Sequence, residues 1–225
     1  MIQAPLPAYF NQEGMLPYSR ILVEGARDLF GLDHLAKVLR EMPSQTGQVA
    51  VGEYSQAMSW EEMEQLVLSF SQEDALSFPV VLERLYGVRG GRGLSVLVGR
   101  AAFTYVLKHF GKLYGLKDSD FRLLPVPRRI QAGLGKLAQI FEQQFEQQAV
   151  VRDEGTYWTW TVENCLNCRG QSAVAGEVSC YFIVGLLQEY LSWASGGRFY
   201  PVVEMECAVL GGNCCVFRID RKPLD

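Results

Sequence analysis

The hydrophobic periodicity of this chain changes once, near Ala149, and that change limits what each half can become. Before it, apolar residues recur at helical spacing, as in Ile21, Leu22, Ala26, Leu29 and Phe30, then Leu35 and Leu39. After it they alternate. Trp158, Trp160 and Val162 take one face of an extended segment, and Thr159 and Thr161 take the other. Helices first and alternating strands later specify an α/β fold of the α+β type, with a helical N-terminal half packed on a C-terminal antiparallel sheet.

Helices are predicted over residues 18–42, with a break near Gly31, and from Ser59 onward, where Glu62 completes a capping box. Another is predicted over 79–86, stopped by Gly87. The run Val88-Arg89-Gly90-Gly91-Arg92-Gly93 reads as a flexible turn. It lacks the Lys-Ser/Thr ending and the preceding strand of a phosphate loop. Residues 94–114 read as the strongest helix. Its polar positions form a narrow stripe, so most of its girth is expected to be buried. Gly99, Ala101 and Ala102 would let a neighbouring element or a ligand come close. Residues 117–127 read as turns around Pro125 and Pro127, and 128–148 as a further helix. Strands are predicted at 149–151 and 157–162, then a helix over 180–194. Two more strands, 199–210 and 214–219, flank Gly211-Gly212-Asn213, a hairpin signal. The expected organisation is one domain: an extended lead over 1–16, a helical part over 17–148, and a sheet part over 149–222.

Composition narrows the function classes. At 48% hydrophobic and 20% charged, the chain can build a core and does not read as disordered. A formal net charge of −4 without a strongly basic segment argues against nucleic-acid binding by bulk electrostatics. The longest apolar stretch, 94–110, is interrupted by Arg100, Lys108 and His109, short of the roughly 18–20 apolar residues of a membrane span. With no basic-then-apolar leader either, the expectation is a soluble, cytoplasmic protein. No Gly-x-Gly-x-x-Gly follows a predicted strand, and no Ser/His/Asp arrangement is evident. His34 and His109 fall on predicted helices. No catalytic residue is therefore assigned.

The six cysteines all lie between Cys165 and Cys215. Cys165-Leu-Asn-Cys168 follows the aromatic strand, Cys180 opens a helix, Cys207 lies on the first strand of the final hairpin, and Cys214 and Cys215 begin the second. Clustering of this kind points to metal or redox chemistry, because a soft metal site needs several thiolates converging from different elements. With a three-residue hairpin loop, Val209 would pair with Cys215, and Cys215 would share the face of Cys207.

At these residues the chain resembles the 4-vinyl reductase domain family. The shared order is Cys165-x-x-Cys168, Cys180 at a helix start, Glu204-x-x-Cys207, then Gly211-Gly212-Asn213-x-Cys215-x-Phe217. The resemblance implies a fold like that of vesicle-tethering TRAPP subunits, often dimeric. It covers sensor domains of aromatic-responsive activators and accessory proteins of (bacterio)chlorophyll synthesis in photosynthesis. It implies a zinc ion held by three cysteines and a glutamate, carried over here to Cys180, Glu204, Cys207 and Cys215, with Cys165 or Cys168 as alternates. Glu204 would need a bulge to face Cys207, and the Cys165/Cys168 pair leaves an iron–sulfur cluster open. It also implies a buried pocket for a hydrophobic small molecule, a tetrapyrrole or an aromatic, for which Val98, Ala102, Phe103, Tyr105, Val106, Trp158 and Trp160 are the candidate lining. A homodimer, a protein-interaction scaffold and a reductase subunit are the further roles it implies.

Overall fold

The computed structural model of the protein describes residues 18–42, 59, 61–62, 77–168 and 180–224. The expected lead over 1–16, and the body of the helix expected after Ser59, lie outside these. The capping box itself is present: Glu62 N–H donates to Ser59 Oγ at 3.2 Å, and Ser59 N–H to Glu62 Oε2 at 2.8 Å.

Helix α1 spans Tyr18–Arg40 and α2 spans Phe78–Phe110. Each contains one glycine in the left-handed region, Gly31 at φ 69° and Gly87 at φ 74°, a conformation that costs glycine little. The break expected near Gly31 is there. The stop expected at Gly87 is instead a kink: the helix resumes at once, and residues 88–93 are helical rather than a flexible turn. Close packing explains the glycines. Gly91 is buried where the two arms of α2 fold together, and a Cβ there would strike the backbone of Leu82 and Glu83. Arg92 pairs with Glu83 across that fold at 3.3 Å.

The same device joins the other helices. Helix α5, Tyr181–Ser195, crosses α2 where a Cβ on Gly99 would meet the Phe182 carbonyl and one on Gly185 the Val96 carbonyl. On α1, a Cβ on Gly25 would lie 2.6 Å from the Val98 carbonyl and 3.1 Å from the Ala102 Cβ. Helix α2 is thus gripped between α1 and α5, so Val98, Ala102, Phe103 and Val106 are no more than 1% exposed. Residues 119–123, expected as turn, form a short helix, α3 (Ser119–Leu123), because Phe121 buries itself by stacking on Trp193 at 6.1 Å. Helix α4, Val126–Phe145, follows. The Tyr190 hydroxyl of α5 donates to the Arg129 and Ile130 carbonyls in its first turn, at 2.9 and 2.7 Å.

The second half is a four-stranded antiparallel sheet in the order β1-β2-β4-β3. The strands are β1 Ala149–Asp153, β2 Tyr157–Glu163, β3 Val202–Glu206 and β4 Cys214–Asp220. The inward face carries Trp158, Trp160 and Val162 of β2 with Cys215, Phe217 and Ile219 of β4, all buried. Helix α4 covers it, with Phe141 edge-on to Trp160 at 5.1 Å. The fold is therefore of the α+β class, with helices on one side of an antiparallel sheet. No described helix is long and apolar enough to cross a membrane.

Candidate metal centre

Four chain segments deliver sulfur or carboxylate to one buried point. Past the end of β2, Cys165 and a 3-10 turn, Leu166–Cys168, carry two thiols. The Cys168 N–H donates to the Cys165 carbonyl at 3.0 Å, closing that turn. Gln147, itself 1% exposed, anchors it by accepting the Leu166 N–H at 2.9 Å. Cys180 caps the N-terminus of α5. Cys215 is the inward residue of β4 opposite Val162.

Strand β3 supplies the rest through a bulge. Its register with β4 runs from Val202↔Ile219 to Glu204↔Phe217 and then slips, so that Glu206 faces Val216. Met205 is the extra residue, and the slip returns Cys207 to the face of Glu204. The bulge needed for Glu204 is thus present. The three-residue hairpin loop is not. Ala208–Leu210 form a 3-10 turn ended by Gly211 at φ 95°, so Val209 does not pair with Cys215. Instead the Ala208 N–H donates to Cys215 Sγ at 3.3 Å.

Cys168 sits at the centre. Its Sγ lies 3.2 Å from that of Cys180, 3.3 Å from that of Cys215 and 3.4 Å from that of Cys207. Cys165 lies 3.5 Å from Cys180, and Cys180 lies 3.6 Å from Cys215. A disulfide is about 2.05 Å long. Four thiolates about 2.3 Å from a tetrahedral zinc are ~3.8 Å apart. The spacing here is that of donors around one ion. Cys165, Cys168, Cys180 and Cys215 form one group with donor atoms within 4.8 Å of one another, and Cys180, Glu204, Cys207 and Cys215 form a second. A multi-iron cluster, which places its cysteines on different irons, needs them further apart.

The electrostatics agree. Hydrogen bonds from Cys165, Cys180, Cys207 and Cys215 hold the Cys168 thiol well below its ordinary range, while the same contacts and burial push Cys180 up. Glu204 is 8% exposed, and its Oε2 accepts the Cys180 N–H at 3.0 Å. Its Oε1 is buried without a hydrogen-bond partner. Burial pushes its carboxyl up to about 8. A buried, orphaned oxygen costs about 1–3 kcal/mol, and a cation among these donors would remove that cost. The residues present therefore fit a single thiophilic divalent ion.

All the metal-ligand candidates, Cys180, Glu204, Cys207 and Cys215 with the alternates Cys165 and Cys168, come together. Cys214 is half-buried and faces Glu163 across the sheet. The central place of Cys168 and the anchoring by Gln147 are not visible in spacing alone, although the Cys-x-x-Cys motif marks the turn. The candidate pocket residues fall in two layers. Val98, Ala102, Phe103 and Val106 are packed in α2, and Trp158 and Trp160 lie on the inward face of β2, Trp160 against Phe141 of α4. Tyr105 is half-buried beside a polar cleft of about 240 Å³ lined by Arg20, Glu24, Thr104, Lys108 and His109 among others.

No family model and no curated protein sequence matches the chain. Solved structures do resemble it. A trafficking protein particle complex subunit 3 from Naegleria fowleri, covalently bound to palmitic acid, is 12% identical with a TM-score of 0.53, over 68% of this chain and 97% of that one. An H-NOX protein from S. oneidensis in the Fe(II)NO ligation state is 8% identical with a TM-score of 0.53, over 91% and 98%. At these identities the likeness is one of fold. The phenol-responsive sensory domain of the transcription activator PoxR, with phenol, is 17% identical with a TM-score of 0.47, over 67% and 75%.

Proposed function

We propose that the chain is a small-molecule-binding module of the 4-vinyl reductase domain type, a sensor, carrier or accessory protein whose sheet, last helix and Cys-x-x-Cys turn are fastened by one zinc ion. The observation that carries this reading is the convergence of five thiols and an orphaned carboxylate oxygen in one buried pocket. Cys180, Cys207 and Cys215 would hold the ion, with Cys168 or Glu204 in the fourth place. A closed tetrahedral set leaves no position for a reacting water, so the role is structural.

The proposed ligand is hydrophobic, a tetrapyrrole or an aromatic, held by the Val98, Ala102, Phe103, Tyr105 and Val106 stretch of α2 and by Trp158 and Trp160. The indole N–H groups of both tryptophans are buried without an acceptor, and a ligand oxygen would satisfy them. A homodimer is part of the proposal, checked by sedimentation.

The test is to purify the protein anaerobically from its native host, quantify metals and extract small molecules. About one zinc per chain and an apolar ligand are expected. Absence of both zinc and iron would reject the metal centre. Metal without any extractable ligand, and no binding of protoporphyrin or naphthalene on titration, would favour a protein-interaction scaffold. That second reading is favoured by Val203 and Met205, 52% and 57% exposed on β3 at the rim of the sheet.

A further inference from the structure

The centre has more donors than a tetrahedral ion can use. Cys168 touches Cys180, Cys207 and Cys215 at 3.2 to 3.4 Å, so these four complete an all-thiolate set. That leaves Cys165 beside them, its sulfur within 4.8 Å of that of Cys168 on the same closed turn. It also leaves Glu204, with Oε2 fixed by the Cys180 N–H, Oε1 buried without a hydrogen-bond partner, and one of the two oxygens within 4.8 Å of the sulfurs of Cys180, Cys207 and Cys215. The spare thiol can therefore take Cys168 away from the set, and the spare oxygen can fill the place it leaves.

We propose that Cys168 and Glu204 are alternative fourth ligands, exchanged when a peroxide oxidises Cys165 and Cys168 to a disulfide, so that the centre changes its donor set without losing its ion. The inference rests on the metal reading above. Cys168 is at 7% the most exposed of the five clustered cysteines. The step balances. The Cys168 thiolate attacks the peroxide, its O–O bond breaks, and the Cys165 thiol completes the S–S bond. Two electrons pass from the sulfur pair to the peroxide. One proton comes from the Cys165 thiol and one from solvent, giving two waters from hydrogen peroxide. The Glu204 carboxylate, grouped with Cys180, Cys207 and Cys215, then takes the place that Cys168 leaves, so that one anionic donor replaces another. The Leu166–Cys168 turn, in contrast, is released from the ion.

The full chain loaded with Co(II) in place of zinc provides the test, because thiolate-to-cobalt absorption reports the number of sulfur ligands. Titration with hydrogen peroxide should remove two free thiols and form a disulfide mapped by mass spectrometry to Cys165 and Cys168. Cobalt content should stay constant while the charge-transfer absorption falls by roughly a quarter, as four thiolates become three. Glu204→Gln should form the same disulfide but release its cobalt. Cys165→Ser cannot close the disulfide, so at the same peroxide dose it should stop at a Cys168 sulfenic acid mapped by mass spectrometry, and it carries the test should Glu204→Gln not fold. Release of cobalt from the unaltered chain, a disulfide between another pair, or unchanged absorption after the Cys165–Cys168 bond forms would overturn the exchange. Failure of the reduced chain to bind cobalt or zinc at all would instead remove the metal reading on which it stands.

Discussion

Glu204 shows how one side chain can be costly to a fold and useful to a site. In the metal-free protein its carboxyl, ordinarily at 4.5, is pushed to about 8, chiefly by burial, with the Cys207 sulfur adding to it. The folded chain therefore keeps a proton that the unfolded chain gives up. The stability this contributes is complete below about 4.5 and is lost as pH rises through about 8. Metal-free protein should thus lose stability between those values, and Glu204→Gln should flatten the fall; denaturant midpoints across that range check it. The facing thiols of Cys180, Cys207 and Cys215 are common to both proteins and cancel in the comparison. Cys207→Ser tests the ligands themselves. Structural zinc contributes roughly 10–16 kcal/mol to folding in small zinc domains, so losing one thiolate should drop both zinc content and thermal midpoint sharply. A Cys207→Ser protein with full zinc and an unchanged midpoint would remove Cys207 from the set.

Among the elements, the crossing of α2 and α5 is the least forgiving. Both glycines there face backbone carbonyls, which cannot rotate away as a side chain can. Overpacking costs typically about 1–3 kcal/mol even against side chains. Gly99→Ala should therefore lower stability by at least about 3 kcal/mol, or roughly 6–12 °C in a chain of this size. Gly135→Ala, where nothing lies within 4 Å of the new Cβ, should instead be neutral or slightly stabilising. Calorimetry on the two proteins decides it. The same crossing shows where sequence reading succeeds and where it stops. Helical and alternating periods located α1, α4, α5, β1 and β2 to within a few residues, because each period mirrors a single buried face. The glycines at 90, 91 and 93 carry no period, yet they are helical beyond the Gly87 kink, with Gly91 set against the backbone of Leu82 and Glu83. The β3 bulge was foreseeable only as something Glu204 would require. The 3-10 turn after Cys207 was not, because a Gly-Gly-Asn sequence promises a tight hairpin whatever precedes it. Small residues in α2 signalled close approach, but the partner proved to be α1 and α5. Ala102 is accordingly no place for a larger side chain, and Trp160→Phe is the better probe of a pocket.

At the scale of the molecule, the helical grip and the cysteine centre are separate sources of order. The division of labour itself gives an expectation. Helix α2 is held by α1 and α5 through contacts that involve none of the metal-ligand candidates, and its Val98, Ala102, Phe103 and Val106 are buried in them. The Leu166–Cys168 turn, the Ala208–Leu210 turn and the first turn of α5 instead converge on the thiols, and of Ala208–Leu210 none is fully buried, Ala208 and Val209 packing only partly against the core. Removing the ion should leave the first group standing and loosen the second, since local opening follows the weakest set of contacts. Hydrogen exchange on zinc-loaded and chelator-treated protein should show faster exchange at the two turns and at Val184, whose N–H bonds the Cys180 carbonyl at 3.1 Å. The amides of Val98, Ala102 and Val106 should keep their protection. Equal loss of protection in α2 would mean that the centre holds the whole fold rather than its cysteine-bearing end, and the ion would then be a folding cofactor in the full sense.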